Sequence, residues 1–149
     1  MPRRYSVVGQ DTNTASTTMI GMTSTTAIRP EIYDVVVGSV ASPADNAAEY
    51  YLQRHTAAGT STSVTPQALD PGDPSATATA GKNHSVEPTY TANAILLVIP
   101  KNQRSTFRWV AREGSELKLP ATAANGISVL SNAIGGSAVT EDFTLLYSE

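Results

Sequence analysis

Few side chains in this sequence could move a proton, attack an electrophile or hold a metal, and two of them are its only histidines, His55 and His84. His55 follows Arg54 at the end of an alternating run, a position that reads as a surface or interface residue rather than a general base. His84 lies in the stretch Gly81-Lys82-Asn83-His84, which reads as a loop. Either could join Asp or Glu around a metal ion, but neither shows the short, fixed ligand spacing of a metal site. Asp45, Asp70 and Asp73 could supply the paired acids of a hydrolase, yet they sit in Pro- and Gly-rich stretches where Asp caps turns. Asn83-His84-Ser85 matches a glycosylation sequon, a match that has meaning only in a secreted chain. Tyr50, Tyr51, Tyr90 and Trp109 could stack on a sugar ring; Trp109, between Phe107 and Ala111, reads as core, and Tyr51 is the better exposed candidate. The sequence lacks a Gly-x-Ser-x-Gly elbow, a His-Glu-x-x-His pair, a phosphate-cradling glycine loop and a calcium loop. The reading is a protein that is not an enzyme, with no catalytic residue, no cofactor and no metal. Its candidates for contact with a partner are Arg3, Arg4, Tyr5, Tyr51, Asp73 and His84.

Composition narrows the kind of partner. A net charge of −3 and a pI near 5.3 oppose nucleic-acid binding, which rests on clustered Lys and Arg. The Arg3-Arg4 pair is a local exception and marks residues 1–5 as a possible extended arm that could add to a neighbour's sheet edge. Only 15% of residues are charged, so much of the polar surface must be Ser and Thr hydroxyl, which are inexpensive to immobilise against another protein. Without cysteine the core is held by burial alone, which is compatible with production in a cytoplasm. The opening Met1-Pro2-Arg3-Arg4-Tyr5-Ser6-Val7-Val8 reaches Gly9, Gln10 and Asp11 before an apolar segment develops, so it does not read as a signal peptide. The longest apolar run, Ala94 to Ile99, is far short of a bilayer span, and a soluble protein with no membrane partner is expected.

The elements that would position these residues read as short strands in a Thr, Ser, Ala, Gly and Pro matrix. Arg3 to Val8 and Thr17 to Met22 come first, then Glu31 to Val40, with Tyr33, Val35 and Val37 on one face and Ile32, Asp34 and Val36 on the other. The next run puts Ala48, Tyr50, Leu52 and Arg54 on one side and Glu49, Tyr51, Gln53 and His55 on the other, a strand with one wetter face. Thr56 to Ser85 is the loosest part: a short strand near Ser61 to Thr65, then a long loop over residues 66–85. Within that loop Asp73, Pro74 and Gly81 stand in the order of N-cap, first helical position and C-terminal stop, which predicts a one- or two-turn helix. Ala92 to Ile99 is apolar on both faces and belongs deep inside, turning at Pro100-Lys101-Asn102-Gln103 into a hairpin with Ser105 to Arg112. Glu116 to Leu119, Ile127 to Ser131 and Ala138 to Tyr147 complete the set, with Phe143, Leu145 and Tyr147 pointing inward. About eight strands, no long helix and no repeat of fixed period predict a single domain over residues 1–149. Its fold class is all-β, an antiparallel β-sandwich of jelly-roll type.

Asn102-Gln103-Arg104-Ser105-Thr106-Phe107-Arg108-Trp109-Val110-Ala111, with Glu113-Gly114-Ser115-Glu116-Leu117 and Pro120-Ala121-Thr122-Ala123-Ala124-Asn125-Gly126-Ile127, resembles small virion proteins of tailed bacteriophages. The likeness extends to Ile32-Tyr33-Asp34-Val35-Val36-Val37-Gly38 and Pro43-Ala44-Asp45-Asn46. It points to the accessory class that includes head-decoration, or cement, proteins. The resemblance implies a β-sandwich structural subunit on the capsid surface of the virion, bound to the major capsid protein or other virion proteins and to itself, with a homo-oligomeric trimer favoured. The alternatives are a neck, tail or baseplate structural subunit, or a carbohydrate- or receptor-binding module of a phage tail.

Overall fold

The computed structural model describes residues 2–149 and is built of strands, with no helix among the described residues. The strands are β1 (Arg4–Thr12), β2 (Thr17–Thr23), β3 (Glu31–Ser39), β4 (Ala47–Ala57), β5 (Thr60–Val64), β6 (Gln67–Ala68), β7 (Thr79–Val86), β8 (Thr89–Asn102), β9 (Phe107–Val110), β10 (Leu117–Lys118), β11 (Gly126–Ile134) and β12 (Thr140–Ser148). They form two antiparallel six-stranded sheets. The first runs β10-β3-β12-β1-β6 with β9 also on β3; the second runs β5-β7-β2-β11-β4-β8.

Four antiparallel pairs nest inside one another along the chain: β1 with β12, β2 with β11, β3 with β9 and β4 with β8. Each pair's members lie in one sheet, and successive pairs alternate between sheets, which is the wrapping of a jelly roll. The insertion between β4 and β8 supplies β5, β6 and β7, which lengthen both sheets on the β1–β2 side.

The core is one cluster between the sheets. Tyr5, Val7, Ile32, Val35, Val37, Phe143, Leu145 and Tyr147 come from the first sheet, and Ile20, Met22, Tyr50, Leu52, Ile99, Ile127 and Val129 from the second. Tyr50 meets Phe143 edge-on across the gap at 5.3 Å between ring centroids, and Tyr5 stacks on Tyr147 at 5.4 Å. The inward set expected for β12 is the one observed, and on β4 Ala48, Tyr50 and Leu52 turn to the core while Arg54, on the same side, is half-buried. On β3 the register slips between Leu146 and Tyr147 of β12, so that Ile32 turns inward with Val35 and Val37 while Tyr33 leaves the sequence expected of strict alternation.

Four expectations are corrected. Residues 73–81 form no helix: Thr79 onward pairs with β2 and β5, and the Glu149 carboxylate accepts the backbone N–H groups of Thr77 and Ala78. Of the alternating Thr and Ala only Thr79 and Ala80 enter the strand; residues 74–78 run as irregular chain held at Thr77 and Ala78 by Glu149. The loop over 66–85 therefore contains β6 and β7. The apolar β8 is not an interior strand but the edge of the second sheet, and it does not form a hairpin with β9, which lies in the other sheet. Asn102 to Ser105 carries the chain across between sheets. Finally, from Arg3 onward the opening segment is tied down rather than extended as an arm: Arg3 and Glu149 exchange backbone hydrogen bonds at 3.0 and 3.1 Å, and Arg4 begins β1. Met1 lies outside the described residues. No helix among the described residues is long and apolar enough to cross a membrane.

Candidate functional site

The outward face of the second sheet carries a buried polar nest. In β4, Gln53 and His55 point away from the core; their partners across the ladder are Ser128 and Gly126 of β11, which in turn face Gly21 and Thr23 of β2. Those glycines are small because the nest requires it. A Cβ at Gly126 would lie 1.9 Å from the Met22 carbonyl oxygen and 2.6 Å from His55 Nε2, and one at Gly21 would lie 2.7 Å from Ser128 Oγ. Into the space enter His84 from β7 and Tyr90 from β8, roofed by the turn that holds Glu87. Both histidines of the chain thus meet on one face, 29 residues apart in sequence.

Hydrogen bonds order this nest. Ser128 Oγ and His55 Nδ1 are 2.9 Å apart, and Thr23 Oγ1 lies 3.4 Å from His55 Nε2. Glu87 Oε2 accepts from the Thr18 N–H at 2.9 Å and from the Thr18 hydroxyl, which also meets the Tyr90 hydroxyl at 2.6 Å. His84 Nδ1 is buried without a partner. Burial, helped by the neighbouring His84, lowers the His55 pKa from 6.5 to about 4; burial also lowers that of His84 and pushes Tyr90 up to about 12. The Ser–His pair invites comparison with a nucleophile and its base. Ser128 is fully buried, and the ring nitrogen remote from it meets a threonine rather than an orienting carboxylate, so the pair acts here as a structural clasp.

A second polar network ties the two sheets together inside the core. Lys101 of β8 donates to Glu141 Oε1 of β12 at 3.0 Å, with both side chains almost fully buried. Ser39 Oγ lies 3.1 Å from the same oxygen and also reaches the Gln103 carbonyl. Asn13 donates to the Tyr50 hydroxyl at 2.9 Å and accepts from the Val139 N–H at 2.6 Å. Among the described residues no three His, Asp or Glu side chains gather in a way that would hold a metal ion.

The residues singled out from the sequence fall in three places. Arg3 and Asp73 come together, Nε to Oδ1 at 4.0 Å, beside Arg4, Leu69 and Asp70 in a surface concavity. Arg4 lies over the Tyr33 ring, 5.6 Å from its centroid. Tyr5 is in the core, its hydroxyl donating to the Pro74 carbonyl, and cannot touch a partner. Tyr51 is half-buried on the outward face of the second sheet, its hydroxyl accepting from Asn132, and His84 is in the nest. The Ser128, His55 and Gly126 grouping and the Lys101–Glu141 pair were not expected; polar residues placed opposite glycines in paired strands are the signal that carries the first.

Fold and site together define a jelly-roll β-sandwich with one polar clasp outside its core and one inside. Comparison with protein-family models, curated proteins and solved structures finds no match.

Proposed function

We propose that the protein is a non-enzymatic structural subunit that binds the outside of a tailed-phage capsid as a decoration protein. What supports the reading most is where the phage-like segments lie. Though scattered from Ile32 to Ile127, several of them pack on one another: β9 and β10 line one side of β3, and the Pro43–Asn46 loop is joined to the Asn102–Arg104 turn. That junction consists of Asn102 Nδ2 to Asp45 Oδ1 at 2.6 Å, the Gln103 N–H to the Asn46 carbonyl at 2.8 Å and Arg104 Nε to the Pro43 carbonyl at 3.4 Å. Beside it Arg108 grips the buried Asp34 through two nitrogens. Several of the segments that carry the likeness thus lie together along one flank of the sandwich, while Gly126-Ile127 belongs to β11 in the middle of the second sheet. The jelly roll is also a fold used in viral capsids, an association of fold and role that supports the reading only by analogy. A surface of low charge, rich in hydroxyls, suits many weak contacts repeated by symmetry.

The test is co-sedimentation of the purified protein with phage shells lacking it. Saturable binding at a fixed ratio to the shell protein is expected. Shells that pellet without the protein at any concentration would defeat the proposal.

A further inference from the structure

At the end of β4 remote from His55, the outward face of the second sheet carries a tyrosine, a carboxylate and an amide that hold one another in place. Tyr51 pairs with Val98 of β8 on one side and Leu130 of β11 on the other, and Glu49 pairs with Pro100 and Ala133. Asn132 is the extra residue of a bulge in β11. Ser131 is still opposite Tyr50 and buried, Ala133 is already opposite Glu49, and two residues of β11 therefore stand against one of β4. From this position Asn132 Nδ2 donates to Glu49 Oε1 at 2.6 Å and to the Tyr51 hydroxyl at 2.9 Å. Glu49 lies two residues before Tyr51, about 7 Å along the strand, so a hydroxyl that shares a donor with it requires the tyrosine ring to lie along the sheet rather than stand off it. Val98, beside the ring, is 43% exposed. Next to Glu49 opens a concavity of about 530 Å³, lined also by Pro100 and by Ala47, Ala133 and Gly135, which have little or no side chain to fill it.

We propose that this face is a carbohydrate site that takes a neutral hexopyranose, with the apolar C–H face of the sugar on the Tyr51 ring and its hydroxyls on Glu49 and Asn132. The site is amphipathic in the way a pyranose is: an aromatic ring with Val98 beside it covers C–H groups, and acceptors at the rim of the ring pair with hydroxyls. A carboxylate has about four acceptor positions and an amide oxygen a further two, so most of the capacity of Glu49 and Asn132 remains after the bonds that order them. Those bonds fix the three side chains before a ligand arrives, which lowers the entropy cost of binding. Charge selects the class of sugar. None of the residues paired with Tyr51 and Glu49 is charged, and Lys101, next to Pro100, is buried on Glu141. A phosphate, sulfate or sialic acid would meet the Glu49 carboxylate with no cation among these neighbours to offset it, whereas a neutral sugar meets no such repulsion. The concavity is of the size of small-molecule sites, about 300–1,000 Å³. None of this depends on the capsid-binding reading.

Saturation-transfer NMR titration tests this with the methyl glycosides of glucose, galactose, mannose and N-acetylglucosamine, and with choline and N-acetylneuraminic acid as charged comparisons. Wild type, Tyr51→Ala, Asn132→Ala and the control Val110→Lys, exposed on the other sheet, are compared once circular dichroism shows each to be folded. Saturable transfer to at least one neutral glycoside is expected, unchanged by Val110→Lys and weakened at least about tenfold by Tyr51→Ala, which removes the stacking ring. Asn132→Ala is expected to weaken it as well, and decides the matter alone if Tyr51→Ala does not fold. Transfer to none of the glycosides, stronger transfer to choline or N-acetylneuraminic acid, or full binding by either folded site variant would overturn the proposal.

Discussion

Acid should loosen this protein through His55. The ring is 2% exposed, clasped to Ser128 and flanked by Thr23 from β2, His84 from β7 and Tyr90 from β8. None of these stabilises a positive charge there, and burial with His84 nearby lowers its pKa from 6.5 to about 4. The unfolded chain therefore takes up this proton before the folded one does. The stability His55 gives is complete above pH 6.5 and is lost as the pH falls toward 4. Integrated over that window the loss is about 2 kcal/mol by pH 5 and about 3 kcal/mol by pH 4. Urea unfolding at pH 7, 5 and 4 measures it, comparing wild type with His55→Gln, which keeps a hydrogen-bonding side chain for Ser128 but cannot titrate. The variant is expected to start less stable at pH 7 and to lose about 2 kcal/mol less than wild type between pH 7 and pH 5. The residual slope includes His84, whose pKa is also lowered by burial. Equal acid losses in the two proteins would refute a buried, neutral His55.

Three substitutions probe other parts of the structure. Glu141→Gln leaves Lys101 charged and buried and should cost about 3–5 kcal/mol in urea unfolding, whereas replacing both partners by Met and Leu should recover most of that loss. Gly126→Ala drives a methyl into the Met22 carbonyl and should cost about 1–3 kcal/mol, near the upper limit because backbone must move; thermal melting reads the drop. Asp73→Ala removes only the long, exposed contact to Arg3 and should change stability by less than about 0.5 kcal/mol.

Where side-chain periodicity alone decides the structure, the sequence is legible. Phe143, Leu145 and Tyr147 point inward because they alternate along a strand with one covered face, and Ala48, Tyr50 and Leu52 do so for the same reason. The jelly-roll class follows from many short strands with turns between them. Three features defeat that logic. A strand apolar on both faces, such as β8, reads the same whether it is flanked on both sides or stands at the edge of a sheet, because periodicity records faces and not edges. The helix grammar of Asp73, Pro74 and Gly81 is overridden by tertiary partners that local sequence does not contain: β2, β5 and the Glu149 carboxylate. The polar nest depends on β4, β11, β2 and β7 lying side by side, so His55, Ser128 and His84 meet only once the register of the ladders is known. The more polar face of β4 is buried at Gln53 and His55, which are covered by Thr91, Tyr90 and the segment around Glu87.

The proposed role is tested most directly by quantitative mass spectrometry of purified virus particles from the source material, counting this chain against the major shell protein. A decoration subunit predicts a copy number comparable to that of the shell protein. A few copies per particle would move the protein to the neck or tail, and its absence from particles would contradict the account.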